Sequence, residues 1–149
     1  MIEGKWYTGD TGLERALSVR RAVFGETGAA DSHDPISHHL IITENSVPIA
    51  SGRMYPDGDC MVLGCIALIP EKRGQGIGDL AARMLLFKGI NMGAKRFRIY
   101  ACDRTAGFYK RFGFKETSEH SFSGLLMTLE AQDCIFPKKC ASERGSQDG

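Results

Sequence analysis

The chain has 149 residues and a mass of 16.3 kDa, which suits one compact domain and is too small for two. Its 42% hydrophobic and 25% charged residues are typical of a folded globular protein, which argues against wholesale disorder. With 19 Lys and Arg against 18 Asp and Glu, the formal net charge is +1. This near-balance argues against a protein that binds nucleic acid by bulk electrostatics.

The cysteines and the N-terminal residues limit the metal chemistry and the cellular compartment that can be expected. None of the five cysteines forms a C-x-x-C pair, and no histidine stands at zinc-finger spacing, so no metal site is expected. Cys65 and Cys102 are predicted to be packing residues rather than nucleophiles. The first residues lack the apolar core of a secretory signal, and no apolar run is long enough to cross a bilayer. We therefore expect a cytoplasmic protein without a membrane partner.

The N-terminal half predicts one helix followed by hairpin-connected strands. The helix is expected at residues 13–24, with a capping box at residues 11–14. Arg20 falls on the apolar stripe of this helix. Either its aliphatic carbons pack on the core while its guanidinium reaches solvent, or its guanidinium binds a ligand. Trp6 and Tyr7 are expected to cover a sheet edge. A loop rich in breakers and carboxylates (25–37) should follow, and then strands at 39–43, 47–55 and 60–69.

The C-terminal half predicts a strand–loop–helix unit and a short α/β ending. Glycines 74, 76 and 78 separate the apolar strand from a helix expected at residues 77–92, with Gly93 as its C′ residue. After a strand at 96–101, Asp103 is expected to cap a short helix, and strands follow at 114–116 and 125–129. The remainder is polar. We therefore predict a mixed α+β domain over residues 1–132 and a mobile C-terminal tail over residues 133–149.

The glycine-spaced loop indicates an anion site. Free N–H groups at a helix N-terminus attract phosphate, and Arg73 at the loop entrance adds a cation. The spacing is neither that of a Walker loop nor that of a dinucleotide fingerprint. The alternative to a ligand site is a tight turn that holds no ligand.

Two segments resemble the signature of the GNAT superfamily of acyl-CoA-dependent N-acetyltransferases. Residues 67–78 (ALIPEKRGQGIG) are similar to its strand–proline–Q/R-x-x-G-x-G/A segment, and residues 106–114 (AGFYKRFGF) to its FYxxxGF segment. Both stand in the expected order and separation, and the resemblance covers residues 5–129. It implies one domain with a central, mostly antiparallel mixed sheet and helices on both faces.

The resemblance also implies a ligand and a set of site residues. Acetyl-CoA would lay its pantetheine along the backbone of the buried strand, at Cys65, Ile66, Ala67 and Leu68. Its pyrophosphate would rest on the amides of the loop, at Arg73, Gly74, Gln75, Gly76, Ile77 and Gly78. Tyr109 takes the general-acid position and would protonate the departing CoA thiolate. The alternative for Tyr109 is a half-buried side chain that packs the short helix on the sheet.

The general base is the point of departure from the family pattern. Some relatives carry a Glu on the strand before the loop, where this chain has Val62, which cannot accept a proton. Residues 20–26 and several polar residues after them resemble a small bacterial-type branch whose acceptors are generally unassigned. His38 and His39 titrate in a suitable range, and three carboxylates offer a place for a cationic amine, namely Glu26, Asp31 and Asp34. Each is also an ordinary turn or surface residue, so no base is assigned.

The expected activity is transfer of an acetyl group from acetyl-CoA to a primary amine of a small molecule or peptide by direct attack. A CoA-binding sensor or degenerate module without turnover stays open, because Val62 replaces the carboxylate. A nucleotide-binding domain that uses the same loop is a third possibility. The acidic loop favours a cationic small amine, while another acyl-CoA donor and a homodimer both stay open.

Overall fold

The structure is a computed structural model that describes residues 1–136. Most of the predicted tail, residues 133–149, lies outside the described residues, and the domain boundary at residue 132 stays a prediction. The first tail residues that are described contact the domain. Cys134 packs against the hydrophobic core, and the Ile135 N–H donates a hydrogen bond to the Phe112 carbonyl oxygen at 2.9 Å.

Residues 1–136 form one seven-stranded sheet with three α-helices. The strand order is β1-β2-β3-β4-β5-β7-β6, in which β4 and β5 are parallel and every other neighbouring pair is antiparallel. This confirms the predicted mixed, mostly antiparallel sheet. The elements are β1 (Ile2–Thr8), α1 (Leu13–Phe24), β2 (His38–Glu44), β3 (Val47–Asp57), β4 (Cys60–Leu68), α2 (Ile77–Asn91), β5 (Arg96–Ala101), α3 (Asp103–Lys110), β6 (Lys115–Ser121) and β7 (Gly124–Glu130).

Helices α1 and α2 cover opposite faces of the sheet, as the alternation of residues along β3 shows. A Cβ added to Gly52 would lie 3.0 Å from Leu85 Cδ1, so this face of β3 packs against α2. The neighbouring position, Arg53, points the other way and shares the buried Asp34 with Arg20 of α1. The predicted arrangement of helices on both faces is therefore confirmed. We call these two sides the α2 face and the α1 face.

The N-terminal residues form a strand that the sequence did not predict. Trp6 and Tyr7 do not cover the sheet edge from outside. They belong to β1, which is itself the edge strand and pairs with β2 from Ile2 to Thr8. An edge strand has solvent on one side, so its residues are mostly exposed or half-buried and show no clear alternation.

Two predicted helix caps are replaced by neighbouring residues. The capping box at residues 11–14 is not formed, because Gly12 is the N-cap in a left-handed conformation (φ 73°) and makes no side-chain cap. In α3 the N-cap is Cys102 rather than Asp103. Its N–H donates to Thr105 Oγ1 at 3.2 Å, and Thr three residues on is what makes this reciprocal cap available. The predicted C′ role of Gly93 is confirmed by its φ of 88°.

Candidate active site

Strands β4 and β5, the parallel pair at the centre of the sheet, separate from each other halfway along their length. Strands β4 and β5 stay in register only from Cys60–Arg96 to Leu63–Ile99. Beyond that point β5 continues beside β7, while residues 64–68 of β4 pair with β3 alone. One side of this stretch of β4 therefore presents backbone N–H and C=O groups to an opening between the two strands, which we call the β4–β5 opening.

A β-bulge lies where β4 enters the opening. The register with β3 shifts between Ser51 and Arg53, and Cys65 on β4 has a positive φ of 50°, an unusual conformation for a residue other than glycine. Burial raises the pKa of the Cys65 thiol, and the nearby guanidinium groups of Arg53 and Arg20 only partly oppose this. The thiol therefore stays protonated near neutral pH, as expected for a packing residue rather than a nucleophile.

The glycine loop after β4 presents bare backbone amides. Gly74 and Gly76 adopt left-handed conformations, with φ of 82° and 81°, and Gly76 is the N-cap of α2 without a side-chain cap. The first amide of this turn that is bonded to backbone belongs to Leu80, which donates to the Gly76 carbonyl at 3.0 Å. Within the described residues, the amides of 74–79 donate no hydrogen bond to the backbone. The positive end of the α2 dipole therefore faces solvent.

The space above this loop is open, and its charges suit an anion. A Cβ added at Gly74, Gly76 or Gly78 would meet no atom within 4 Å. Asp79 is acidic and lies in the first turn of α2, but Arg83 Nε donates to its Oδ2 at 2.6 Å and balances its charge. Arg73 at the entrance is exposed. Bare amides and the positive end of a helix dipole face open space here, beside an exposed arginine, and this combination suits a phosphate group.

Tyr109 lies in α3, the helix that directly follows β5. Its side chain is 7% exposed and contacts the rings of Phe108 and Phe114 edge-on, with centroids 5.2 and 5.8 Å away. Burial raises the pKa of Tyr109 well above its usual range. The phenol therefore keeps its proton at any ordinary pH, so it can donate and does not act as a base.

On the α1 face, Asp34 joins two buried arginines. Arg20 donates to both oxygens of Asp34, at 2.8 and 3.1 Å, and Arg53 Nη1 donates to its Oδ1 at 2.9 Å. Asp34 and Arg20 are each 1% exposed. Burial alone would raise the pKa of Asp34, but these hydrogen bonds and one from the Asp31 N–H outweigh it and hold the pKa well below its usual range. Arg20 is thus neither a solvent-reaching stem nor a free ligand group.

The remaining candidates for the base or for amine binding do not converge on one point. Asp31 is half exposed and accepts hydrogen bonds from both terminal nitrogens of Arg53, at 2.6 and 2.9 Å. Glu26 is exposed in a 3₁₀ turn after α1. His39 is fully buried, while His38 pairs with Met54 and therefore lies on the α2 face. Burial lowers the pKa of both histidines.

Three side chains near the opening have no role predicted from the sequence, namely Tyr55, Arg98 and His33. On the α1 face, Tyr55, Val62 and Arg98 lie side by side in one row across β3, β4 and β5. His33 stacks on the Tyr55 ring, with centroids 4.2 Å apart and planes 5° apart. The alternation along β3 (Ser51, Arg53, Tyr55) was a usable signal for two polar side chains on one face. The position of His33 in an irregular loop left no such signal.

The fold and the site together indicate the kind of ligand that this domain can bind. An opening along a strand, which ends at a bare helix N-terminus, suits an extended ligand that carries phosphate. A model described as the acetyltransferase (GNAT) family matches residues 7–114, so the chain belongs to this family. Family membership supports acyl transfer from an acyl-CoA donor.

Relatives and solved structures agree with this assignment. The YyaT protein of Bacillus subtilis is 26% identical over 139 residues, covering 85% of this chain and 94% of its own. An acyl-CoA N-acyltransferase from Pseudomonas aeruginosa is similar in fold (19% identity, TM-score 0.76, 86% of this chain and 99% of that chain). The PaiA N-acetyltransferase of Thermoplasma acidophilum, solved in complex with coenzyme A, is similar over 87% of this chain and 99% of that chain (16% identity, TM-score 0.69).

Two features are absent from residues 1–136. No group of three or more His, Cys, Asp or Glu side chains in this part of the chain is arranged to hold a metal ion. None of the described helices is both long and apolar enough to cross a membrane.

Proposed function

We propose that the chain transfers an acetyl group from acetyl-CoA to a primary amine of a small molecule or peptide by direct attack. The observation that supports this is the β4–β5 opening, which lies beside the bare amides at the start of α2. The opening offers backbone hydrogen-bonding groups to a linear amide chain, and the loop offers donors to a pyrophosphate. A tight turn without a ligand would not require the open space above all three glycines.

The residues that would hold acetyl-CoA are those of β4 and of the loop. In this proposal the backbone of Cys65–Leu68 bonds the pantetheine, the amides of residues 73–78 bond the pyrophosphate, and Arg73 adds a charge-assisted contact. Acetyl-CoA supplies the thioester that the amine attacks. The protein contributes alignment of the two reactants and a backbone N–H of the central strand for the developing oxyanion.

Tyr109 is proposed as the proton donor to the leaving sulfur. When the C–N bond forms and the C–S bond breaks, the bonding electron pair moves to sulfur. A phenol that stays protonated can donate a hydrogen bond to this charge and pass its proton on. A proton left on the new amide nitrogen then replaces the one that Tyr109 gives up. Because burial raises the pKa of Tyr109, its titration should leave no basic limb in the rate–pH profile.

The test combines binding with turnover. Calorimetry should show acetyl-CoA binding, and release of CoA thiol should be measured with spermidine, tryptamine and short peptides with free N-termini. Tyr109→Phe should lower kcat by about 10²–10⁴-fold and leave the KM for acetyl-CoA nearly unchanged. Tyr7→Phe, a tyrosine in edge strand β1, is the matched control and should keep full turnover.

The outcomes separate the competing functions. Binding of acetyl-CoA without turnover on any of these amines would favour a CoA-binding module that lacks activity. Displacement of acetyl-CoA by ATP at similar concentration would favour a nucleotide-binding domain. A Tyr109→Phe variant that keeps its turnover rate, in conditions where chemistry limits the rate, would remove the acid role from Tyr109.

A further inference from the structure

The position of the missing carboxylate is defined by the strand register. Val62 faces the α1 side, between Tyr55 on β3 and Arg98 on β5. This row lies one residue before the last paired residues of β4 and β5, so one residue pair separates it from the opening. Val62 itself is buried. Neighbouring strands are about 4.8 Å apart, so a group that stands over Tyr55 can reach the start of the opening by way of one water molecule.

His33 stands over Tyr55 and is held there from both sides. Its ring lies parallel to the Tyr55 ring, with centroids 4.2 Å apart. The backbone N–H of His33 donates to Asp31 Oδ1 at 2.9 Å, and its backbone carbonyl accepts from Ser37 Oγ at 2.7 Å. The imidazole Nδ1 lies 3.9 Å from Asp31 Oδ1. With its side chain 46% exposed, the ring is both positioned and accessible.

We propose that His33 is the general base that takes the ammonium proton from the acceptor amine. This inference rests on the proposed function and assigns the base that the family pattern leaves vacant at Val62. The other candidates are worse placed, since His39 is fully buried and His38 lies on the α2 face. Asp34 is fully buried and already occupied by two arginines.

The proton transfer to His33 needs no reactant besides the amine, the thioester and water. His33 accepts one proton from the ammonium group, and the nitrogen lone pair that this frees attacks the thioester carbon. The imidazolium then returns its proton to solvent. The charged and titratable groups near the ring are Asp31 on its own loop, Arg53, Tyr55 and Asp57 on β3, and Arg98 on β5.

The experiment uses the intact protein and the best amine of the panel named above. His33→Gln should lower kcat by about 10²–10⁴-fold and should remove the acid limb of the kcat–pH profile, while acetyl-CoA binding by calorimetry stays unchanged. His33→Ala should regain activity with added imidazole. His38→Gln, on the other face, is the control and should keep rate and profile.

The results distinguish this proposal from the proposed function. If the wild type turns over and His33→Gln keeps both its rate and its acid limb, His33 is not the base, and the transferase function stands. If His33→Gln is slow but keeps the acid limb, the residue only positions the loop and the proposal is again overturned. If the wild type binds acetyl-CoA and acetylates none of the amines, the transfer and its base fail together.

Discussion

The two sides of the β4–β5 opening differ in which groups they present, backbone amides on one side and charged side chains on the other. On the side of α2, the glycine loop offers backbone amides and open space, and the exposed Arg73 adds a positive charge. On the α1 face, side chains from three separate elements converge, with Arg20 on α1, Asp34 in a loop and Arg53 on β3. A backbone site tolerates exchange of most side chains, whereas a network of buried charges depends on each member.

The largest expected effect comes from breaking the buried charges. Asp34→Asn should lower the free energy of unfolding by about 3–5 kcal/mol, because buried Arg20 keeps no ionised partner. Asp31→Asn should cost only about 1 kcal/mol, since Asp31 is half exposed. Denaturant unfolding of both variants measures the difference. Equal losses would mean that the network does not depend on its buried member.

The glycine loop should respond in binding rather than in stability. Gly78→Ala places a methyl group in the space above the amides, so the Kd for acetyl-CoA should rise at least about tenfold, or about 1.4 kcal/mol. The melting temperature should not fall, because Ala favours a helix over Gly by about 1 kcal/mol. Gly76→Val is less informative, since a φ of 81° strains any valine even without ligand.

A matched control for Gly78→Ala is available in α3. Gly107 is also helical and exposed, and a Cβ there would likewise meet open space. Gly107→Ala should leave the Kd for acetyl-CoA unchanged in calorimetry. An unchanged Kd in Gly78→Ala as well would contradict the proposal that the amides of the glycine loop bind the phosphates of acetyl-CoA.

The smallest expected effect is the pH dependence of stability. His39 Nε2 lies 3.2 Å from the Asp34 carbonyl, and burial lowers the pKa of His39 although Asp34 opposes this. The unfolded chain binds a proton near pH 6.5 and the folded chain does so only at lower pH, so stability falls as pH drops below about 6.5. We expect a loss of about 1 kcal/mol between pH 7.5 and 5.5, and a shallower slope in His39→Gln. Parallel curves for the two proteins would exclude His39 as the cause.

The sequence predicted the strand–loop–helix unit of β4, the glycine loop and α2 better than it predicted the side-chain network, for a physical reason. A glycine-spaced loop, a strand before it and a helix after it are all local, so residues 67–78 carry the whole pattern. Arg20 shows the opposite case, because its apolar stripe indicated burial but not its partner, which lies 14 residues on at Asp34. Edge strand β1 was missed because half-exposed residues carry little periodicity.

The parting of β4 from β5 also bears on how the two halves of the sheet are joined. Four in-register residue pairs connect strands β1–β4 with strands β5–β7. Amide protons along the unpaired side of residues 64–68 should therefore exchange with solvent quickly in the free protein and slowly once a ligand bonds them. A ligand bound only by the folded state would also raise the stability of that state by RT ln(1 + [L]/Kd). Under the proposed function, acyl-CoA bound in the opening would take the place of a strand between β4 and β5 and would join the two parts of the sheet.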